Sequence, residues 1–295
     1  MWRIVCAGVG SAFTDQRYYQ SNFVIENSHG SKLLLDCGSH AQFSLAELNL
    51  YPKDIDAVYI SHLHADHIGG LEWLAFMRKF SQNKQKPVLY AADNLLQDLW
   101  DKSLRGGLES IQGDVMSLTG YFECHAVPIN NFFQFGNLKM TPVQTVHIMS
   151  GMGIVNSYGL LIQEITVHSD EDKNHPQRPP VVFITTDTQH CPSQIQCFYN
   201  QADLILHDCE TSQYKSGVHA HYTELMTLDA KTKQRMMLYH YQPEPKQDPW
   251  VAGFAGFLKK GMVLPIDTEP GTFPKVLRLA DDAERYKAVQ AALVM

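Results

Sequence analysis

Three imidazoles and a carboxylate fall within six residues of this chain, in the run Ser61-His62-Leu63-His64-Ala65-Asp66-His67-Ile68-Gly69-Gly70. The run follows the apolar stretch Ala57–Ile60 and precedes an amphipathic one, Leu71 to Phe80, so a strand ends near Ser61 and a helix begins near Ile68. On extended backbone, side chains alternate with period two, which turns His62 and His64 to the same side. That pair can grip one metal ion, while Asp66 and His67, past the turn, face a second. A His-rich polar loop is the bland alternative, but chance gives an H-x-H-x-D-H match on the order of 10⁻⁵ times per position at this histidine content. Imidazole and carboxylate donors suit zinc, manganese or iron, so donor type alone does not choose the metal.

The remaining composition narrows the partners. A chain of 295 residues with 44% hydrophobic and 19% charged residues can bury a large core, as an ordinary soluble globular protein does. No stretch has the apolar length to span a bilayer, and the N-terminal run lacks a signal-peptide pattern, so a cytoplasmic location is expected. Six scattered cysteines form no C-x-x-C pair, which argues against a thiolate zinc knuckle and fits a reducing compartment. The formal charge of −7 disfavours a long nucleic acid, whose binding needs many Lys and Arg contacts to phosphate. A small anion held by metal ions is compatible with it.

Strand-like runs recur at Trp2–Ala7, Asn22–Glu26, Lys32–Cys37, Ala57–Ile60, Val88–Tyr90, Tyr121–Val127, Phe132–Phe135, Leu138–Val146, Ser157–Gln163, Val181–Thr186, Ala202–Leu206 and Met236–Tyr239. Helical patterns interleave at Phe43–Leu48, Leu71–Phe80, Asn94–Leu104, Pro192–Tyr199, Thr223–Ala230, Pro249–Lys259 and Asp282–Leu293. Two batches of strands with helices between them predict an α/β fold, an αββα sandwich formed by residues 1–295 as a single domain. Residues 104–120 read as an insertion, either a solvated loop or a lid or subunit contact, because they carry apolar residues a linker would not need. Residues 168–180, polar and proline-rich, read as a surface excursion. Gly8-Val9-Gly10 after the first strand reads as a tight turn rather than a phosphate loop, since no helix follows it.

A two-ion site needs further ligands. His147, Asp187 and His240 each stand just past an apolar strand, and strand ends converge on one rim of a sandwich. The expected assignment is His62, His64 and His147 on one ion and Asp66, His67 and His240 on the other, with Asp187 bridging. For each lone histidine the plainer reading is a hydrogen-bonded core residue. The candidate catalytic residues are Asp66, His221 and His219. His221, at the start of a helical pattern, is the first choice for a histidine that contacts phosphate and protonates a leaving oxygen, and His219 the second. Helix capping is the plainer reading for both. Asp208 and His207 could orient ligands from behind.

In this order and spacing, His62-x-His64-x-Asp66-His67, His147, Asp187 and His240 resemble the metallo-β-lactamase superfamily. The resemblance implies a dinuclear site, usually zinc, on the rim of an αββα sandwich. Asp187 stands where the β-lactamases themselves carry cysteine, which disfavours antibiotic hydrolysis. Gly8–Phe13, Thr186-Asp187-Thr188 and the late histidines resemble the phosphodiesterase branch that includes the tRNA 3′-processing endonucleases, yet the Gly/Pro-rich arm of those enzymes is missing. His219-Ala220-His221-Tyr222-x-Glu224-Leu225 is similar to anti-Pycsar proteins, which degrade cyclic mononucleotides and tend to be homodimers. The expected activity is therefore a phosphodiesterase that uses two divalent ions, zinc or else manganese, to open 3′,5′-cyclic nucleotides and so counter anti-phage signalling. A tRNA 3′-processing endonuclease, a lactone or thioester hydrolase and a nucleotide-sequestering protein are the competing readings.

Overall fold

A computed structural model of the chain describes residues 2–82, 85–165 and 178–266. Sixteen strands run in chain order: β1 (Trp2–Gly8), β2 (Asn22–Glu26), β3 (Lys32–Leu35), β4 (Ala57–Ile60), β5 (Val88–Ala92), β6 (Ser110–Ile111), β7 (Asp114–Val115) and β8 (Glu123–Val127), then β9 (Phe133–Phe135), β10 (Leu138–Ser150), β11 (Gly153–Glu164), β12 (Val181–Ile184), β13 (Leu204–Asp208), β14 (Met236–Tyr239), β15 (Gly256–Phe257) and β16 (Val263–Ile266). They build two seven-stranded sheets, ordered β16-β1-β2-β3-β4-β5-β8 and β15-β14-β13-β12-β11-β10-β9, and a small β6–β7 hairpin.

Each large sheet changes character midway. β16, β1, β2 and β3 pair antiparallel, whereas β3, β4, β5 and β8 run parallel. The second sheet repeats this, with β9 to β12 antiparallel and β12 to β15 parallel. Parallel neighbours need crossovers, which the helices Leu71–Lys79, Asp93–Leu99 and Pro192–Gln201 supply. Ligand sites in such sheets lie beyond the carboxyl ends of the parallel strands. That rim is where β3, β4, β12, β13 and β14 deliver Asp36, His62, Asp187, Asp208 and His240.

The two inner faces meet in one core. Along β12, β13 and β14, Val182, Ile184, Leu204, Leu206, Met237 and Tyr239 enter the cluster shared with Trp2, Phe23 and Leu34. Their alternates Phe183, Ile205, Met236 and Leu238 pack outward with Ile195 and Tyr199 of the crossover helix and with Leu225. Burial on both faces explains why these strands read as unbroken apolar runs. Full burial of each such side chain contributes roughly 1.5–3 kcal/mol. Tyr59 ties the sheets together by donating its hydroxyl to the Tyr158 carbonyl at 2.9 Å.

Several expectations shift. The helix expected over 249–259 is a set of turns leading to β15: the Asp248 carboxylate accepts from the Trp250 and Val251 amides, and Gly253 and Gly256 take positive φ. The helix expected over 223–230 splits into Tyr222–Leu225 and Ala230–Lys233, the second capped by Asp229 accepting from the Thr232 amide at 3.0 Å. Tyr121 closes a short helix, Leu118–Tyr121, before β8 begins. In the stretch 104–120, Leu104, Leu108, Met116 and Leu118 are buried in the core, which accounts for its apolar residues. Residues 166–177, most of the surface excursion, and the helical pattern over 282–293 lie outside the described residues.

Candidate metal centre

Local backbone departures aim the site's side chains. Residue 147 is an extra residue in β10: the register with β11 passes from Val146–Asn156 to Ile148–Val155, so His147 has no cross-strand partner. Such a bulge re-aims a side chain. Just beyond strand ends, Asp36, Thr186 and His240 hold φ of 61°, 53° and 62°. For a β-branched residue such as Thr186 this is a rare conformation, with a strain of about 1–3 kcal/mol at each such position. Thr186 shares a 2.7 Å hydroxyl hydrogen bond with Ser157, and the His240 amide donates to the Val9 carbonyl at 2.7 Å. The tight turn expected at Gly8–Gly10 is instead chain that runs on from β1, Gly10 bridging Gln20 and Tyr241, with the turns falling at residues 12–13 and 16–18; this stretch supports the pocket.

The seven expected ligands come together in two donor sets that share Asp187. His62, His64, His147 and Asp187 form the first, and Asp66, His67, Asp187 and His240 the second. His64 Nδ1 lies 3.1 Å from both His62 Nε2 and His147 Nε2, and Asp187 Oδ2 is 3.7 Å from each of those Nε2 atoms. In the second set His67 Nε2 is 3.3 Å from Asp66 Oδ2 and from Asp187 Oδ1, and His240 Nε2 is 3.5 Å from Asp187 Oδ2. All of these side chains except His64 are buried.

Partners behind the rings set their tautomers. Ser61 Oγ donates to Asp36 at 2.7 Å and so accepts from His62 Nδ1 at 3.0 Å. Ser21 Oγ donates to the Gly10 carbonyl and likewise accepts from His240 Nδ1 at 3.1 Å. His67 Nδ1 donates to Asp36 at 2.7 Å, and His147 Nδ1 to the Val218 carbonyl at 2.8 Å. Each arrangement leaves Nε2 as the donor atom, the usual way a protein presents histidine to a metal. Asp36, which holds both His67 and Ser61, is absent from the residues expected above. Its one sequence signal is the one that marked Asp187, a carboxylate at the end of an apolar strand.

The charges call for a cation. His67 Nε2, His240 Nε2 and Asp187 Oδ1 are buried without a hydrogen-bond partner, a costly state for polar atoms. Burial, then the neighbouring His67 charge, pulls the His62 pKa well down, and burial lowers His64 and His147 as well. Burial opposes charge on His67 too, but Asp187, Asp66 and Asp36 outweigh it and raise its pKa well above the ordinary value. Burial likewise opposes ionisation of Asp66 and Asp187. The facing imidazolium charge prevails, lowering Asp66 to about 2 and Asp187 well below the usual carboxylate range. The nitrogens of the first set stand close to the spacing of roughly 3.3 Å set by tetrahedral bonds of about 2.0–2.1 Å. These donors fit a divalent metal.

Of the two candidate acids, the structure brings His219 to the site and seats His221 elsewhere. His219 Nδ1 lies 2.8 Å from Asp208 Oδ2 and 3.9 Å from Asp187 Oδ2, and its ring is 5.0 Å from those of His147 and His240. Burial disfavours its charge, yet Asp208, then Asp187 and Glu210, push the pKa up to about 10. His221 has both nitrogens engaged: Nδ1 accepts from the Thr223 amide and Nε2 donates to the Ser212 carbonyl at 3.0 Å. It caps the helix Tyr222–Leu225. Asp208 orients His219, whereas His207 faces away and accepts from the Tyr199 hydroxyl at 2.6 Å.

Residues 2–264 match the sequence model of the family Anti-Pycsar protein Apyc1. This chain belongs to that family. It is 32% identical over 261 residues to the Anti-Pycsar protein Apyc1 of Paenibacillus xerothermodurans, covering 88% of this chain and 95% of that one. It is 29% identical over 266 residues to the protein of the same name from Bacillus phage 010DV004, covering 88% and 96%. Among solved structures it resembles the metallo-β-lactamase fold protein YhfI from Bacillus subtilis, with a TM-score of 0.63 and 20% identity over 89% of this chain and 98% of that one. The expected αββα architecture is therefore the fold of this Apyc1-family chain.

Proposed function

We propose that this chain is a phosphodiesterase dependent on two divalent ions, zinc or else manganese, that opens 3′,5′-cyclic mononucleotides to linear monophosphates and thereby counters Pycsar signalling. The observation that carries the reading is the pair of donor sets sharing Asp187, with His67 Nε2, His240 Nε2 and Asp187 Oδ1 buried and unpartnered, in a chain of the anti-Pycsar family. His62, His64 and His147 would hold one ion, Asp66, His67 and His240 the other, with Asp187 common to both. When bound, such ions neutralise charge on the phosphoryl oxygens and make water available as a nucleophile near neutral pH.

The chain's own residues supply the rest. Asp208 fixes His219 through Nδ1, which leaves Nε2 as the nitrogen available to a ligand. A ring oriented by Asp208 beside the phosphate could hand a proton to the departing ribose oxygen, which gives His219 the acid role expected of His221. Asp66 serves as a ligand and keeps its carboxylate ionised. A small cyclic substrate suits a chain of net charge −7 better than a long nucleic acid. The tip of the β10–β11 hairpin, beyond His147, exposes Met149, Met152 and Ile154. A second copy covering this apolar tip would complete a homodimer in the cytoplasm, the host's if a phage encodes it.

Purified protein with Zn²⁺ or Mn²⁺ should convert cyclic mononucleotides to monophosphates, read by chromatography, and leave unprocessed tRNA and lactones intact. Trimming of tRNA with cyclic nucleotides untouched would replace this reading with the endonuclease one. Light scattering during size exclusion tests the dimer; a monomer mass at micromolar concentration removes it.

A further inference from the structure

The loop that carries His219 is held by a carboxylate with no part in the donor sets. Glu210 is buried, and its two oxygens are both used inside this loop. Oε1 accepts from the Ser212 hydroxyl at 3.0 Å, and Oε2 accepts from the Ser216 amide at 2.8 Å and its hydroxyl at 3.1 Å. Its backbone closes the base of the same loop, the amide donating to the Ala220 carbonyl and the carbonyl accepting from the Tyr222 amide, each at 2.9 Å. His221 adds a further tie through the Ser212 carbonyl. Between these anchors the loop delivers two contacts to the metal centre. The Val218 carbonyl fixes the His147 tautomer, and His219 sits against Asp208.

We infer that Glu210 is a positioning residue that makes residues 211–219 a preorganised strap, setting His147 as a donor and His219 as the acid. Short polar loops do not hold a geometry to a few tenths of an ångström without such internal ties. A carboxylate accepting three hydrogen bonds supplies them, and charge-assisted bonds are the stronger kind. With Glu210 gone, the Ser216 amide and hydroxyl lose their acceptor, Ser212 is left with the Tyr214 carbonyl inside the loop, and solvent competes for the freed donors. The Val218 carbonyl then orients His147 for only part of the time.

The inference about His219 rests on the proposed phosphodiesterase reading; the inference about His147 does not. The test compares wild type with Glu210→Gln, Glu210→Ala and the double variant Ser212→Ala/Ser216→Ala, which keeps the carboxylate and removes two of its partners. Hydrogen exchange of the metal-free protein should rise in residues 211–219 and stay unchanged in the sheets. Zinc affinity, by competition with a chromogenic chelator, should fall about 10–100-fold for one of two equivalents, as loss of an outer partner of a ligand does. At saturating zinc, Glu210→Ala should lower kcat on a cyclic mononucleotide about tenfold in wild type and by less than about twofold in a His219→Ala background. Unchanged exchange in 211–219, unchanged zinc affinity, or equal kcat losses in both backgrounds would each overturn the assignment. If wild type proves inactive on every cyclic nucleotide, the exchange and zinc measurements still decide it.

Discussion

At the residue scale, the decisive property is that four histidines have their Nδ1 protons committed behind the pocket while Asp187 faces both donor sets. Asp187→Ala should retain the fold but abolish turnover and lower metal stoichiometry below two, read by elemental analysis. Near-normal activity would remove the shared-ligand role. His219→Ala should cost about 10²–10⁴-fold in kcat with metal content unchanged, the size of a lost general acid. His221→Ala should instead lower stability by about 1–2 kcal/mol through the lost cap and buried hydrogen bond, with a smaller kcat loss passed through the strap. Denaturant melts alongside kinetics distinguish the two histidines. A proton is also at stake in His67. Its pKa is raised in the metal-free chain, so a cation in the second donor set must displace that proton. Binding should release it below the raised pKa and weaken as pH falls, an outcome measurable by calorimetry in buffers of different ionisation enthalpy.

At the scale of elements, close backbone approach shapes the pocket as much as side chains do. A Cβ on Gly38 would lie 1.9 Å from the Asp66 carbonyl, and one on Gly159 would lie 2.5 Å from the Ile184 carbonyl. The first approach lets the turn after β3 sit under the helix Ala65–Ile68; the second lets β11 lie against the end of β12. Gly38→Ala must push the Asp66 backbone away, since neither atom belongs to a flexible side chain. We expect at least a tenfold loss of zinc affinity in that variant, while Gly106→Ala, where added atoms meet open space, should leave metal binding unchanged. Equal affinities in the two variants would show that the backbone around Asp66 has slack. The β10 bulge belongs to the same scale, because His147 is itself the extra residue and its aim into the pocket comes with the break in pairing.

At the scale of the whole molecule, two sheets with matching antiparallel and parallel halves place five parallel strand ends on one rim. The carboxylates and histidines gathered there are buried with incomplete partners, so metal should act as a structural ligand as well as a reactive one. Saturation of one site at a thousandfold above Kd adds about 4 kcal/mol. At roughly 2 °C per kcal/mol for a chain of this size, chelation should lower Tm by on the order of 10 °C. A melting temperature indifferent to chelator would mean that the pocket does not bind the ion tightly. No helix among the described residues is long and apolar enough to cross a membrane.

Much of this was legible in one dimension, and the physical reasons differ. Apolar runs flanked by turns mark strands buried on both faces, and a polar ligand-type residue just past such a run marks the rim, so the gathering of His62, His64, Asp66, His67, His147, Asp187 and His240 in one place could be read before any fold was known. The choice between His219 and His221 could not. They sit two residues apart at a helix entry, and only the tertiary path of residues 211–219 turns one toward Asp208 and the other toward the Ser212 carbonyl. Asp36 and Ser21 escaped for the same reason, their partners lying about thirty and more than two hundred residues away; Glu210 escaped because its partners, two and six residues on, meet it only where the loop folds back, and one of them is a backbone amide. Residue chemistry determined what could bind; long-range packing decided which atoms face it.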